Sequence, residues 1–307
     1  MRNPLRHLKI DYSQLMDLRI DYAFKILFAK GETRLLISLL NAIFANKKIN
    51  RVIQSLKIVN PFLDKESGDD KLSILDIRAE VEDGTNILIE MHMYGLGELK
   101  AKTLRSWARA FGEDLEAGES YAEQPPTIAI AFTNGPILAV GETEGKNKIH
   151  RLCKIMDCED NTVFTNAMEL HYIDMKAFAN AVNATNSINF ADTDAIMFAK
   201  WLSIITQKEI NNKEIIENAC DEEEIYMAVS ALVRQSEDKI IRQAYQRRKD
   251  EIFYYNKNMA EREEFKRRAE HEQRRAEQEQ RRAEQAESQN EKLLQEIKKL
   301  KALLVNN

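Results

Sequence analysis

Two acids and a histidine on neighbouring apolar runs are the residues of this chain whose types and spacing could do chemistry. Residues 72–81 carry Asp76, residues 85–93 carry Glu90 and His92, and Glu82-Asp83-Gly84 stands between them. Two β-branched-rich runs flanking Asp-Gly predict a β-hairpin. In the second run Ile87, Ile89, Met91 and Met93 alternate with Asn86, Leu88, Glu90 and His92, so Glu90 and His92 share one face. A two-residue loop at Asp83-Gly84 would set Asp76 opposite Met91. A three-residue loop, with Gly84 left-handed and a bulge beside it, sets Asp76 across from Glu90 with Cβ atoms about 5 Å apart, and this is the register we expect. Carboxylates that close repel each other unless one is protonated or a cation sits between them. Mg²⁺ suits the place, because it takes a few carboxylate oxygens and leaves its other positions to water and a substrate phosphate. Such an ion acidifies a bound water and polarises a phosphoryl oxygen, which is what phosphodiester hydrolysis needs. From spacing alone, the plainer reading is a solvated hairpin face carrying ordinary Asp, Glu and His side chains.

The elements that must position these residues can be read from periodicity and punctuation. Residues 1–50 read as helices, with the apolar run 35–44 buried. A strand near 51–60 ends at Asn60-Pro61, and 67–70 is a polar loop. A helix over 98–117 crosses over from the Glu90 strand to a strand at 127–132, making a βαβ unit whose helix starts near the acids. On that helix Trp107 is expected to pack on the sheet, and Arg105, with Lys100, Lys102 and Arg109 nearby, to meet a DNA phosphate. Residues 169–173 add another strand. Helices follow at 193–205, 222–234 and 238–258, the last after a Ser236 cap. Its basic run, Arg242, Arg247, Arg248 and Lys249, reads as a solvated face. No Gly-rich phosphate loop and no G-x-S-x-G elbow occurs, so nucleotide hydrolysis and serine-hydrolase chemistry lack support.

Composition agrees with a globular, helix-rich protein: 307 residues, 44% hydrophobic, with 10 Gly and 5 Pro. The net charge of −5 argues against indiscriminate nucleic-acid binding, but phosphate attraction depends on charges within roughly 10 Å, so a local basic surface remains available. No signal peptide and no apolar run long enough for a membrane helix is evident. Cys153, Cys158 and Cys220 are too few and too unpatterned for a disulfide framework, which points to a reducing cytoplasm. His150 with Cys153 and Cys158 lacks a fourth ligand at zinc spacing.

The segment from Asp70-Lys71-Leu72-Ser73-Ile74-Leu75-Asp76 through Ile89-Glu90-Met91 resembles the PD-(D/E)XK nuclease family transposases, also described as recombination-promoting nucleases. Asp21-Tyr22-Ala23-Phe24-Lys25-Ile26-Leu27-Phe28 and residues 35–43 are similar to that family's opening helices. Gly118-Glu119-Ser120-Tyr121, the 127–132 run, Leu170-His171-Tyr172-Ile173, the Trp201 helix and Ala244-Tyr245-Gln246-Arg247-Arg248 follow in the family's order, so the likeness spans roughly residues 17–255. The resemblance implies an α/β, restriction-endonuclease-like core with a central mixed sheet flanked by helices. It implies Asp76 and Glu90 as metal ligands, the Met91 carbonyl as a third, and DNA as the substrate of a Mg²⁺-dependent endonuclease. His92 stands where the wider superfamily has Lys and this branch commonly has Gln. A neutral imidazole there could accept a proton from the attacking water, or ligate a softer ion such as Mn²⁺. Asp21 corresponds to an acidic position that could complete the metal shell; a helix cap or a surface ion pair is the alternative. Lys25 either contacts a phosphate or pairs with Asp21 on the helix surface.

The C-terminal region differs in kind. Residues 267–273, 274–280 and 281–287 are near-identical heptads. With Ala269, Ala276, Ala283, Asn290, Ile297 and Leu304 at a, Ala286, Leu293 and Leu300 fall at d, and only 286–304 makes a convincing seam. Asn290 at a single a position favours a parallel two-stranded coiled coil, hence a homodimer. The expected organisation is a nuclease-like core over 1–185, a helical region over 186–258 and a coiled coil over 259–307. The competing reading is a catalytically silent, coiled-coil-assembled scaffold that binds DNA or protein.

Overall fold

The computed structural model describes residues 10–59, 77–93, 96–113, 120–138, 148–187 and 193–305. Asp76 and the 67–70 loop lie outside the described residues. The chain forms two compact units, residues 1–250 and 251–307.

The first unit is built on a six-stranded sheet in the order β1-β2-β3-β4-β6-β5. The strands are β1 (Leu56–Ile58), β2 (Ile77–Val81), β3 (Asn86–His92), β4 (Thr127–Thr133), β5 (His150–Met156) and β6 (Val163–Asp174). Strands β3, β4 and β6 run parallel, while β1, β2 and β5 pair antiparallel at the margins. The sheet is therefore mixed, as expected of a restriction-endonuclease-like α/β core. Every residue of β4 is buried, which explains its unbroken Thr-Ile-Ala-Ile-Ala-Phe-Thr run: a central parallel strand is covered on both faces.

The β2–β3 hairpin adopts the three-residue loop. Ile77 pairs with Ile89, Arg78 with Leu88, Ala79 with Ile87 and Glu80 with Asn86. Gly84, at φ +80°, donates its N–H to Val81 O at 2.9 Å, and Val81 N–H donates to Thr85 O at 3.1 Å. A positive φ is nearly free for glycine, which is why this turn can close after three residues rather than two.

Helix α3 (Leu96–Glu113) connects β3 to β4 and covers one face of the sheet. Leu99 and Ala110 pack there with Leu88, Ala129, Ala131, Leu170 and Tyr172. Trp107 joins them, its indole N–H donating to Thr127 O at 2.8 Å, so it packs on the sheet as expected. The other face carries α1 (Asp21–Phe28), α2 (Thr33–Ala45) and α5 (Thr193–Ile205). Phe24 meets Phe132 at 5.5 Å between ring centroids, Phe28 meets Trp201 at 5.5 Å, and Phe44 meets His171 at 5.7 Å.

Helices α4 (Met175–Thr185), α6 (Lys213–Ala219) and α7 (Glu223–Glu237) complete the unit together with the start of α8 (Lys239–Val305). The cap of α8 differs from expectation. Ser236 lies inside α7, its hydroxyl donating to Leu232 O at 2.7 Å, and Asp238 caps α8 by accepting from the N–H groups of Ile240 and Ile241 at 2.8 and 3.0 Å. A carboxylate two residues on outcompetes the hydroxyl because it is charged and faces two orphan donors.

In the second unit, helix over 251–305, the i,i+4 contacts among the described residues include Glu264–Arg268, Gln273–Glu277 and Gln280–Glu284. Leu293 and Ile297 are about half exposed along the expected seam. Among the described residues, no helix is long and apolar enough to cross a membrane.

Candidate functional site

Strand alternation places Leu88, Glu90 and His92 on the α3 face of the sheet. The parallel register puts Glu90 in one row with Ala131 and Tyr172, and His92 in the next row with Thr133 and Asp174. Both rows lie at the carboxyl ends of the parallel strands, where open α/β sheets leave room for ligands.

Glu90 is only 3% exposed. His92 Nε2 lies 2.7 Å from Glu90 Oε2 and keeps about a fifth of its side-chain surface in solvent. Burial drives the Glu90 carboxyl upward. The hydrogen bond of His92, a hydrogen bond from Ser106 and the charge of Lys102 outweigh it and hold the group below the ordinary carboxylate range. A carboxylate kept anionic inside the protein, ringed by a histidine, a hydroxyl and an ammonium group, is an oxygen donor suited to a hard divalent cation. With His92 Nε2 donating to Glu90, the Nδ1 lone pair is left to take a proton, an assignment that follows from the hydrogen-bond pattern. Burial likewise raises the Tyr172 phenol, and the charge of Glu90 adds to the effect.

Ser106, Lys102 and Tyr172 were not anticipated from the sequence as partners of Glu90. A signal for the helix was present: the inward stripe Leu99, Thr103, Ser106, Trp107 and Ala110 contains two hydroxyls where apolar residues are expected. Tyr172 reaches the site through strand order, which no local pattern reveals.

The remaining expected site residues are dispersed. Met91 is half-buried, one residue along β3 from Glu90, and Arg105 is exposed on α3. Asp21 accepts from Arg248 through both oxygens, at 3.0, 3.0 and 2.5 Å, which is the ion-pair alternative for that residue. Lys25 is 1% exposed, so its ammonium group is held inside the protein rather than offered to a phosphate. Among the described residues, no group of three His, Cys, Asp or Glu side chains is placed to hold a metal ion.

A second Glu-x-His pair lies on the opposite face. Glu169, on β6, is bound by Lys154 at 3.0 Å and lies 3.6 Å from Arg51. His171 Nε2 lies 3.6 Å from Glu169 Oε2, while His171 Nδ1 meets His150 Nε2 at 2.9 Å and His150 Nδ1 meets the Asn46 amide at 2.8 Å. One assignment runs through the network: Asn46 donates to His150, His150 to His171, and the His171 N–H faces Glu169. Burial, then the charges of His171 and Lys47, push His150 down to about 2. Glu169 is held at about 2: burial opposes this, but His171, Lys154 and Arg51 prevail.

Against known proteins, a family model described as PD-(D/E)XK nuclease family transposase matches residues 18–264. No curated protein and no solved structure matches the chain.

Proposed function

The chain belongs to the PD-(D/E)XK nuclease family transposases, and from that premise we propose that it is a metal-dependent endonuclease that hydrolyses phosphodiester bonds in DNA. The observation that carries the proposal is the buried Glu90 carboxylate, kept charged beside a histidine with one ring nitrogen to spare. Nucleases of this family generally use divalent metal ions. Mg²⁺, or Mn²⁺ in its place, would be held here by Glu90, Asp76 and the Met91 carbonyl. Asp76 immediately precedes Ile77, and Glu90 immediately follows Ile77's partner Ile89. The bound ion would supply Lewis-acid polarisation of the phosphate and acidify a water.

The chain's own residues then have defined tasks. His92 accepts the proton of the attacking water at Nδ1 while Glu90 fixes its ring through Nε2. Ser106 and Lys102 hold the Glu90 carboxylate in place from α3, and Arg105, exposed on the same helix, steadies the phosphate backbone. The proposal assigns no metal or DNA role to Asp21, which is committed to Arg248, or to buried Lys25.

We place the protein in the cytoplasm, in keeping with its three unpaired cysteines, and read it as a parallel homodimer through the 286–304 seam. Two linked sites could cut both strands of a duplex. Light scattering on a chain ending near residue 258 should then give a monomer mass, and an unchanged dimer would remove this part of the reading.

Nicking of supercoiled plasmid across a series of divalent metals tests the whole. The wild type should nick with Mg²⁺ or Mn²⁺, and Asp76→Ala and Glu90→Gln should not. Absence of cleavage with any divalent metal would leave the coiled-coil scaffold as the better reading.

A further inference from the structure

The end of α2 and strand β5 bring six cations to one margin of the sheet, in a chain whose net charge is −5. Lys47, Lys48 and Arg51 come from the segment that follows α2, Lys148 from just before β5, and Arg151 and Lys154 from β5 itself. Lys47 Nζ donates to His150 O at 2.5 Å, which ties the two segments together. Glu169 takes up Arg51 and Lys154. Lys47 stays close enough to Lys148 and Arg151 that burial first, and then their charges, lower its affinity for a proton. Cations held at this range give a chain of negative net charge a local positive potential, which attracts anions.

The backbone supports the same view. Lys48 N–H donates to Ala45 O at 2.8 Å and Ile49 N–H to Phe44 O at 3.1 Å, a Schellman ending with Lys48 at its left-handed position, φ +54°. Glycine adopts that conformation without steric cost and lysine does not, so this turn places an exposed cation where the cheaper residue has none.

We propose that this margin is a second nucleic-acid surface, which grips the phosphate backbone of duplex DNA away from the Glu90 site. Lys154 pairs with Glu169 on the face opposite Glu90, whereas Arg151 pairs with Tyr172 in the Glu90 row, and β5 is three strands from β3, about 14 Å at the usual interstrand spacing. These cations therefore hold flanking duplex rather than the scissile phosphate. Phe44, under Arg51 and His171, and Phe198, stacked on His150, are both buried, which favours backbone contact over the base stacking of single-strand binders. The choice of DNA rests on the nuclease reading above.

The test is fluorescence anisotropy of a short mixed-sequence duplex with the full chain in EDTA, where no cleavage occurs. Wild type is compared with Lys148→Gln and with the double variant Lys48→Gln/Lys148→Gln, all checked for an unchanged melting temperature. Both lysines are exposed, so the core is untouched. We expect the slope of log affinity against log salt to become shallower by about 0.9 for the single and about 1.8 for the double variant. Affinity should fall about tenfold in the double variant, with plasmid turnover at saturating DNA unaffected. Unchanged slope and affinity overturn the proposal, as does a loss confined to RNA duplexes or a wild type that fails to bind duplex DNA. The nuclease reading is judged separately by metal-dependent nicking, so either idea can fail alone.

Discussion

Glu90-Met91-His92 on β3 and Glu169-Leu170-His171 on β6 are the same kind of triplet on parallel strands either side of β4, and their surroundings make them different objects. His92 touches Glu90 at 2.7 Å and keeps part of its ring in solvent. His171 is fully buried, spends its second nitrogen on His150, and stands 3.6 Å from a Glu169 already bound by Lys154. In the first pair the imidazole keeps one nitrogen facing away from the carboxylate and part of its ring in solvent. In the second the ring nitrogens and the carboxylate face other groups of the fold, although Glu169 Oε2 and His171 Nε2 lack a full hydrogen bond. Acid and histidine two apart on a strand therefore define a shared face, while the neighbouring elements decide whether the pair reacts or holds the sheet together.

Exchanging the acids should give the largest separation. Glu90→Gln should lower DNA cleavage about 10³-fold with little change in urea unfolding, since it removes an anion needed by the proposed metal and by His92. Glu169→Gln should do the reverse: about 2–4 kcal/mol of stability lost, because Lys154 and Arg51 lose their counter-charge, with specific activity of the folded fraction retained. Equal effects on activity from the two would erase the distinction. The histidines should follow the same division more mildly. His92→Ala should cost about 10²-fold in turnover and under about 1 kcal/mol in stability. His171→Ala should leave turnover intact and cost about 2–3 kcal/mol by opening a cavity and orphaning His150.

Acid should unfold the protein through the Glu169 side. His150 is pushed down to about 2 and His171 is lowered from 6.5, so the unfolded chain binds protons that the folded chain refuses. Their contribution is complete above pH 6.5 and is lost as pH falls below it. Glu169, at about 2 in the fold against 4.5 unfolded, adds its own loss below pH 4.5. Each titrating group steepens the decline by up to about 1.4 kcal/mol per pH unit. Urea midpoints should therefore drop between pH 7 and 5 and faster below 4.5, and Glu169→Gln should flatten the lower segment alone. A midpoint independent of pH between 7 and 4 would show that the buried histidines are not held neutral.

How much of this was legible in the sequence depended on distance along the chain. The β2–β3 register could be read because Glu82-Asp83-Gly84 encodes its own turn, and α5 and β4 because one element's apolar pattern suffices. Partners that meet only after folding were invisible: Arg248 lies 227 residues from the Asp21 it binds, and Ser106 and Tyr172 reach Glu90 from a helix and a strand that local periodicity cannot orient. Strand β5 leaves no local signal because His150–Met156 mixes basic, thiol and apolar residues without clean alternation. The hairpin pattern points to Asp76, which lies outside the described residues, so its proposed part in the site rests on the register carried to Ile77.

That dependence makes Gly84 the finest probe of the contrast. At φ +80° an alanine Cβ meets, among the described residues, only Pro125 Cβ at 3.8 Å, so Gly84→Ala is strained by its backbone and not by crowding. The cost should be about 1 kcal/mol, read as a small drop in the urea midpoint. If strain is relieved by closing the turn after two residues, the β2 partners shift by one and every β2 side chain changes face relative to Glu90. Cleavage would then fall far more than stability, although no proposed site residue has changed, while the Glu169 network on β5 and β6 would keep its acid sensitivity. If instead activity follows the modest stability loss, the hairpin holds its register through Ile77–Val81 packing alone, and the turn contributes only its local conformation.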